Sequence, residues 1–579
     1  MTWTTPAGGT SWDYARDVTA LSDGSSIGLG TFMGSATFGS TTFTSAGVED
    51  AYIAKLNSDG SYAWATQASS TGQVYANGIS SLSDGSSIVT GFFAGTATFG
   101  STTLTSAGSD DVFIAKLNAD GTYAWAKQAG STSSDQGNSV SSLSDGSSIV
   151  TGFFSGTASF SGTNINSAHH HDIFIAKYDA SGNLAWVSQA GGTDQDRGYG
   201  ITALSDGTSI VTGEIQNTAS FGSTNLTSAG AQDIFISKLN ADGSFAWVTQ
   251  AGSTATDLAN DITSLSDGSS IVTGQFSGTT SFGLNNLTAN GVTGTADAFI
   301  AKLTSGGNFL WASRLGSNNA DEGRSITSLS DGSSIITGMF AGAGDFGSTT
   351  LTPAGNKDAF IVKYDPNGNF VWADQAGGSS SGGIDKGNGI ASFSDGSSIV
   401  AGQFYETNGT FGSNTITSAG LYDGFFSKLT PTGYSATSTS STGTTTSTGT
   451  STLTNTQSTH AGNITINSTG ISSFNSAQVA NIDSNLFSGF DAPLIAAFDP
   501  SAISGLGIEQ IEGISKDAMG GFNQNQVTGF TTTAVSGFDK DQLAGFEPAA
   551  MAGFGKEQVA AFEPAAMAGF GKEQVAAFE

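Results

Sequence analysis

Residues 111–125 read "DVFIAKLNADGTYAW", and the reading of this stretch decides the fold. Two apolar runs flank "NADG". Asp-Gly between apolar runs is a strong hairpin signal, because Gly takes the φ > 0 position at little cost. The stretch therefore predicts two antiparallel strands. Its leading Asp recurs as Asp50, Asp111, Asp172, Asp233, Asp297, Asp358 and Asp423. Its Lys recurs as Lys55, Lys116, Lys177, Lys238, Lys302, Lys363 and Lys428. The hairpin is one part of a repeat.

Outward from it lies a second recurring phrase, "LSDGSSI", with its Asp at 23, 84, 145, 206, 267, 331 and 395. The steps are 61 residues four times and then 64 twice. One unit reads as four strands. "GNSVSSL" is the first, and an S-D-G turn leads into the second, "SSIVTGFF", continuous enough to be buried on both sides. "DVFIAKL" is the third and "TYAWAKQAG" the fourth. Gly91, Gly152 and Gly213 fall inside the second strand, as expected where backbones crowd near an axis.

The fourth-strand Trp occurs as Trp64, Trp125, Trp186, Trp247, Trp311 and Trp372, which is six copies for seven units. The seventh unit reaches "LTPTGY" (429–434) and then gives way to Ser and Thr. Trp3 stands 61 residues before Trp64, in register, so "TWTTPAGG" (2–9) reads as the strand that the seventh unit lacks. A strand from one terminus completing a unit at the other removes the open seam of a ring. The expected fold of residues 1–434 is an all-β seven-bladed β-propeller closed by its N-terminal strand.

Residues 171–215, "HDIFIAKYDASGNLAWVSQAGGTDQDRGYGITALSDGTSIVTGEI", carry a further likeness. They resemble the bacterial seven-bladed propeller repeats of SBBP type, whose pattern is D-x-F-[VI]-x-K-[LY], G-x-x-x-W and G-G-x-x-x-D-x-G-x-[GS]-[IV]. The likeness covers residues 1–434. It departs where Ile88 and Ile149 replace the family's aromatic residue in the second strand.

Residues 435–473 are dominated by Ser, Thr and Gly and predict a flexible linker. Residues 474–579 repeat every eight residues, with apolar anchors from Phe474 through Phe498, Phe522 and Phe546 to Phe578. On one continuous helix an eight-residue period would make the apolar stripe drift by about 80° per unit. Pro500, Pro548 and Pro564 would also break it. Short helices fit better: Pro suits a first helical position, and "DKDQ" (539–542) fits a capping box. The expectation is an octapeptide-repeat α-solenoid of one- to two-turn helices, part of a longer array.

The formal charge of −30, with 48 acidic against 18 basic residues, excludes nucleic acid as a natural partner. No apolar run approaches the length that spans a bilayer, and no apolar stretch near the start resembles a classical signal peptide. Zero Cys removes thiol chemistry. The triplet His169, His170 and His171 reads as an exposed polar loop or as a metal or glycan contact, and the lack of a surrounding carboxylate cluster favours the first. Asp13, Asp135, Asp196, Asp257, Asp321 and Asp385 stand ten residues before the S-D-G Asp, and Val74 breaks the series. Six carboxylates on one ring could line a cation site, but their expected role is to bind loop amides and fix the step from blade to blade.

The unit also resembles the Trp-docking repeat of quinoprotein dehydrogenases and the Asp-box of sialidases. Sialidases need an arginine cluster, whereas Arg16, Arg197, Arg314 and Arg324 are scattered over different units. No catalytic, cofactor-binding or metal residue is expected.

Length variation falls on the loops that join the fourth strand to the first and the second to the third, where ligand contacts usually lie. The binding-face candidates are His169, His170, His171, Tyr405 and Glu406. The expected function is non-enzymatic binding or adhesion to a protein or glycan at the bacterial cell surface or outside the cell. The alternatives are a structural component that self-associates through the octad array, and a carbohydrate-active or quinone-dependent enzyme.

Overall fold

The computed structural model describes residues 2–291, 294–405, 409–433, 476, 479, 487 and 492–577. The chain divides into two compact units, Met1–Ser458 and Thr459–Glu579. Residues 435–473, expected as a linker, lie outside the described residues, as does Glu406.

The first unit is a β-propeller. Its opening strands are β1 (Trp3–Gly9), β2 (Asp13–Ala20), β3 (Ser26–Phe32), β4 (Ser35–Phe38), β5 (Thr41–Thr44), β6 (Asp50–Leu56) and β7 (Tyr62–Ser70). Strands β2, β3, β6 and β7 lie side by side and antiparallel, the order expected of one repeat. β3 is buried at every residue, as an uninterrupted apolar strand between two neighbours must be. Every repeat contributes an equivalent of β2. These innermost strands touch one another in chain order, and Lys386–Ser392, the last, packs against β2.

The Trp residues explain how repeats are joined. Trp64 Nε1 donates to Ala119 O at 3.1 Å and Trp186 Nε1 to Ala241 O at 3.0 Å, each in the hairpin turn of the following repeat. The indole lies over that turn's Gly: a Cβ on Gly121 would stand 2.7 Å from Trp64 Cδ2. Gly121 has φ +85°, so the residue serves both the turn and the seat for the ring. β1 follows the same rule. It pairs antiparallel with Tyr422–Leu429, from Trp3↔Lys428 to Ala7↔Gly424, and Trp3 Nε1 donates to Ser58 O at 2.9 Å.

The expectation of a seven-bladed β-propeller is corrected by the hydrogen bonding, which gives five blades. The strands gather into five sheets of six or more strands, one of them ten-stranded, beside one four-stranded and one two-stranded sheet. The cause is a second hairpin in the connection between the second and third strands of each repeat. In the first repeat it is β4–β5, whose residues alternate exposed and buried, with Ala36 and Phe38 inward. β4 then pairs with β1, the outer strand of the sheet beside it (Gly8↔Thr37, Gly9↔Ala36), so sheets extend beyond four strands. In the third repeat the hairpin runs unbroken into its neighbours, as Ser148–Phe160 and Thr163–Tyr178, and two repeats merge into the ten-stranded sheet.

The second unit is built of small helices, among them Lys516–Met519, Gln524–Val527, Thr532–Val535, Lys540–Gly545, Pro548–Met551 and Lys556–Ala561. Asp539 caps Lys540–Gly545 by accepting from Asp541 N and Gln542 N. Each helix packs on the one three octads later, and the anchors follow: Phe522 meets Phe546, and Phe530 stacks on Phe554. The coil therefore closes every three octads. A buried Gln in alternate octads ties the coils together. Gln542 Nε2 donates to Ile511 O at 2.6 Å and Ile514 O at 2.8 Å, while its Oε1 accepts from Asp539 N.

Candidate functional site

The site begins with a backbone irregularity repeated in every unit. Each innermost strand slips register against its partner, between Ala15 and Asp17 in the first repeat and between Gly137 and Ser139 in the third. Such a bulge leaves one residue unpaired and re-aims its side chain. The glycine of the second strand makes room for it. A Cβ on Gly30 would meet Tyr14 O at 1.8 Å, and one on Gly152 would meet Gln136 O at 1.9 Å.

The bulged residues are Arg16, Asn77, Asn138, Tyr199, Asn260, Arg324 and Asn388, each seven residues before the Asp of the S-D-G turn. All seven line one cavity of ≈ 710 Å³ at the axis. The four Asn lock neighbouring repeats together. Asn77 Nδ2 donates to Gly137 O at 2.9 Å, Asn138 Nδ2 to Gly198 O at 2.7 Å, Asn260 Nδ2 to Gly323 O at 2.7 Å and Asn388 Nδ2 to Ala15 O at 2.9 Å.

Arg16, Tyr199 and Arg324 replace Asn in the ring. Arg16 lies over the Tyr75 ring at 4.8 Å and nearer the edge of range to Tyr14 at 5.9 Å. Arg324 NH1 donates to Glu322 Oε1 at 2.9 Å. The Nε of both arginines is buried without a hydrogen-bond partner. Lys386, on the strand between theirs, completes a cationic sector of three adjacent repeats. Burial, with the Arg324 and Arg16 guanidinium groups nearby, pulls the Lys386 ammonium down to about 8, although Glu322 opposes the shift. Against these three cations the lining holds one carboxylate, Glu49.

Aromatic rings form the rim. Trp12, 45% exposed, meets Tyr422 at 5.9 Å, as does Tyr14, and Tyr75 stacks on Phe92 at 4.8 Å. Tyr405 joins this group at 4.8 Å from Tyr422.

The histidines belong elsewhere. His169, His170 and His171 lie within the strand Thr163–Tyr178 and not in a loop. His169 and His170 are exposed, whereas His171 stacks on Phe153 at 4.5 Å and faces Arg197 NH2 at 3.1 Å. Burial, then Arg197, lowers the His171 pKa. Arg197 and Tyr199 both donate to the buried Glu214, at 2.7 and 2.9 Å. Among the described residues no group of three or more His, Cys, Asp or Glu side chains could hold a metal.

The recurring aspartates sit at the seams between repeats. Asp135 accepts from Ser131 N at 2.6 Å and Ser155 N at 2.8 Å, and Asp196 accepts from Gly192 N and Gln216 N. Each faces an Asp of the hairpin series. Burial, then the neighbouring carboxylate, raises Asp13 to about 7 and Asp111 to about 6 against the opposing pull of amide hydrogen bonds. Where Val74 replaces the ring Asp, Asp50 Oδ1 accepts from Ser70 N at 3.0 Å instead. These carboxylates bind backbone amides.

Sequence reasoning dispersed the arginines over different repeats, but the ring returns Arg16 and Arg324 to one cavity. Counting back seven residues from each turn Asp would have found them.

One comparison, with a family model, agrees with the architecture. A family model described as "Domain of unknown function (DUF5122) beta-propeller" matches residues 38–61. The chain is similar to an uncharacterized WD repeat-containing protein of Acanthamoeba polyphaga mimivirus, 24% identical over 72% of this chain and 36% of the relative. It is also similar to the regulatory protein FlaEY of Caulobacter vibrioides, 29% identical over 29% of this chain and 18% of the relative. The chain thus spans about a third of the length of the first of these curated relatives and under a fifth of the second. Among solved structures it is similar to YCF48 bound to D1 peptide, with a TM-score of 0.35, 9% identity and coverage of 74% of this chain and 95% of that one. A protein of unknown function from Dyadobacter fermentans gives a TM-score of 0.34 and 10% identity over 74% and 99%. Among the described residues no helix is long and apolar enough to cross a membrane.

Proposed function

We propose that this chain is a non-enzymatic binding protein, displayed at the bacterial surface or released outside the cell, and that its binding site is the axial cavity. Its repeats are of SBBP type on this reading, and its ligand is a glycan or a protein. One observation carries the proposal. The repeats are nearly identical wherever side chains serve the fold, yet they diverge where the innermost strands face the axis. The residue after the ring Asp position is Tyr14, Tyr75, Gln136, Arg197, Leu258, Glu322 or Lys386 in turn, and of these Tyr14, Tyr75, Gln136 and Lys386 line the cavity. A residue that serves the repeat recurs in each copy, whereas a single asymmetric ligand requires different side chains around one axis.

Aromatic rings at a wet rim support recognition, since they offer large contact area at low entropic cost. The seam carboxylates support a non-enzymatic role, because each is engaged by backbone amides. The test is a glycan-array and pull-down screen of the full chain beside its Trp12→Ala/Tyr75→Ala variant. A ligand captured by the parent and lost by the folded variant supports the reading. A ligand retained equally by both moves the site away from the axis.

A further inference from the structure

The charge of the axial cavity opposes that of the molecule. The chain carries a formal −30, yet the lining has Arg16, Arg324 and Lys386 against Glu49 alone. Arg324 is already engaged by Glu322, whereas the Arg16 guanidinium lies against the Tyr75 and Tyr14 rings, near Glu49 and Arg324, with its Nε unpaired. A planar guanidinium with a free fork matches a carboxylate through two parallel hydrogen bonds. Lys386 stands between the two arginines' strands as a strongly desolvated cation. An anion arriving there would relieve the mutual repulsion of the three.

The remaining lining defines what carries that anion. Asn138, Gln136 and Gln403 offer amides, and the Asn388 Oδ1 is buried with no partner. Trp12 and Tyr14 offer ring faces to the C–H face of a sugar, whereas the Tyr75 ring is covered by Phe92 and Arg16. The lining has no aliphatic patch for a hydrophobic side chain. Glu49 in the lining and Glu322 beside Arg324 disfavour a second negative charge, which counts against a phosphate dianion.

From this juxtaposition we infer that the axial cavity binds an acidic sugar, a uronate whose single carboxylate pairs with Arg16 and Lys386 while its ring lies against the aromatic rim. The inference rests on the cavity being the binding site and names its ligand class.

The test is calorimetric titration of the full chain with D-glucuronate and D-galacturonate, beside glucose, galactose, acetate and a short peptide with a free C-terminus. The expected result is that a uronate binds about tenfold or more tightly than either the neutral sugar or acetate, since each lacks one half of the recognition. Affinity should fall with added salt and as pH rises past 8, where Lys386 loses its charge. Arg16→Gln and Lys386→Gln should each weaken binding about tenfold with an unchanged circular dichroism spectrum.

A neutral sugar that binds as tightly as its uronate overturns the acidic assignment while leaving the cavity as a glycan site. A peptide that binds more tightly than the uronates overturns the sugar assignment. Uronate binding that Arg16→Gln and Lys386→Gln both leave intact overturns the inference and the cavity together.

Discussion

Removing β1 tests how the propeller ring is held. Its ladder with Tyr422–Leu429 runs over five residue pairs, from Trp3↔Lys428 to Ala7↔Gly424. The net gain from those backbone bonds, about 1 kcal/mol each, is offset by the entropy of ordering the same residues, about 1–2 kcal/mol each. What deletion loses outright is the set of side-chain contacts with the next repeat. Trp3 sits half-buried on Gly60 and donates to Ser58 O, Thr5 Oγ1 donates to Gly60 O at 2.7 Å, and Tyr62 OH donates to Pro6 O at 2.8 Å.

A half-buried indole is worth about 2 kcal/mol and three hydrogen bonds about 1 kcal/mol each, together about 5 kcal/mol. For a β unit of this size, at about 2.1 cal/mol/K per residue, that lowers Tm by about 6 °C. It also bares the edge of Tyr422–Leu429, which should draw molecules into oligomers. The assay compares the full chain lacking residues 2–9 with one lacking 440–448, by scanning calorimetry and size-exclusion chromatography. Equal Tm and equal monodispersity of the two deletions would refute the argument that β1 latches the ring.

Two further outcomes follow from the same contacts. The seam carboxyls have folded pKa values raised from 3.8 to about 6 or 7, as at Asp13, Asp172, Asp233 and Asp423. Their stabilisation is therefore complete below 3.8 and is lost as pH rises through 6 to 7. The turn aspartates, Asp23 and Asp84 among them, are lowered by hydrogen bonds from Ser25 and Ser86, and their stabilisation is lost only as pH falls below 3.8. Tm should peak near pH 4.5 and stand about 5 °C above its value at pH 8; a curve flat or rising over that range contradicts the seam pairs. In the octad unit, Gly545→Ala places a Cβ 2.2 Å from Lys516 O, whereas the nearest atom to a Cβ at Gly555 is 3.6 Å away. Gly545→Ala should cost about 2 kcal/mol and Gly555→Ala less than about 0.5 in urea titrations followed at 222 nm, and equal costs would place the coil contact elsewhere.

What the sequence made legible is what local chemistry dictates. The Asp-Gly hairpins, the buried second strand, the in-register Trp3 and the capping box at Asp539 all rest on residues close in the chain. The β4–β5 hairpin was legible too, since Ala36 and Phe38 alternate with exposed Ser35 and Thr37. Its four-residue strands carry no signal of their own beyond a loop, because strands so short gain their stability from the neighbouring sheet. The Gln542 bridge was half legible. Its capping role is local, but its two donated bonds reach 31 and 28 residues back. Gly545 ends its helix, as local chemistry allows, but its close approach to the backbone of the preceding coil depends on a residue 29 positions away. The axial cavity was illegible by pattern search, because its residues have nothing in common except their register.

That register also shows what the cavity costs. Where the bulged residue is Asn, its amide donates to a carbonyl of the next repeat; at Arg16 and Arg324 that bond is missing, and two cations crowd Lys386 instead. Asn at position 16 would face the carbonyl of Ala76, and Asn at position 324 that of Gly387, since Asn77, Asn138 and Asn260 each reach the residue before the next repeat's bulge. Each restored bond is worth about 1 kcal/mol, and removing two like charges frees Lys386 to regain a pKa closer to 10.5. A residue retained for binding is expected to lower stability. Arg16→Asn/Arg324→Asn should therefore raise the stability of the propeller by about 2 kcal/mol, about 2 °C in Tm, while abolishing uronate binding. A double variant less stable than the parent would mean that the arginines hold the ring together, and their place at the axis would then be structural.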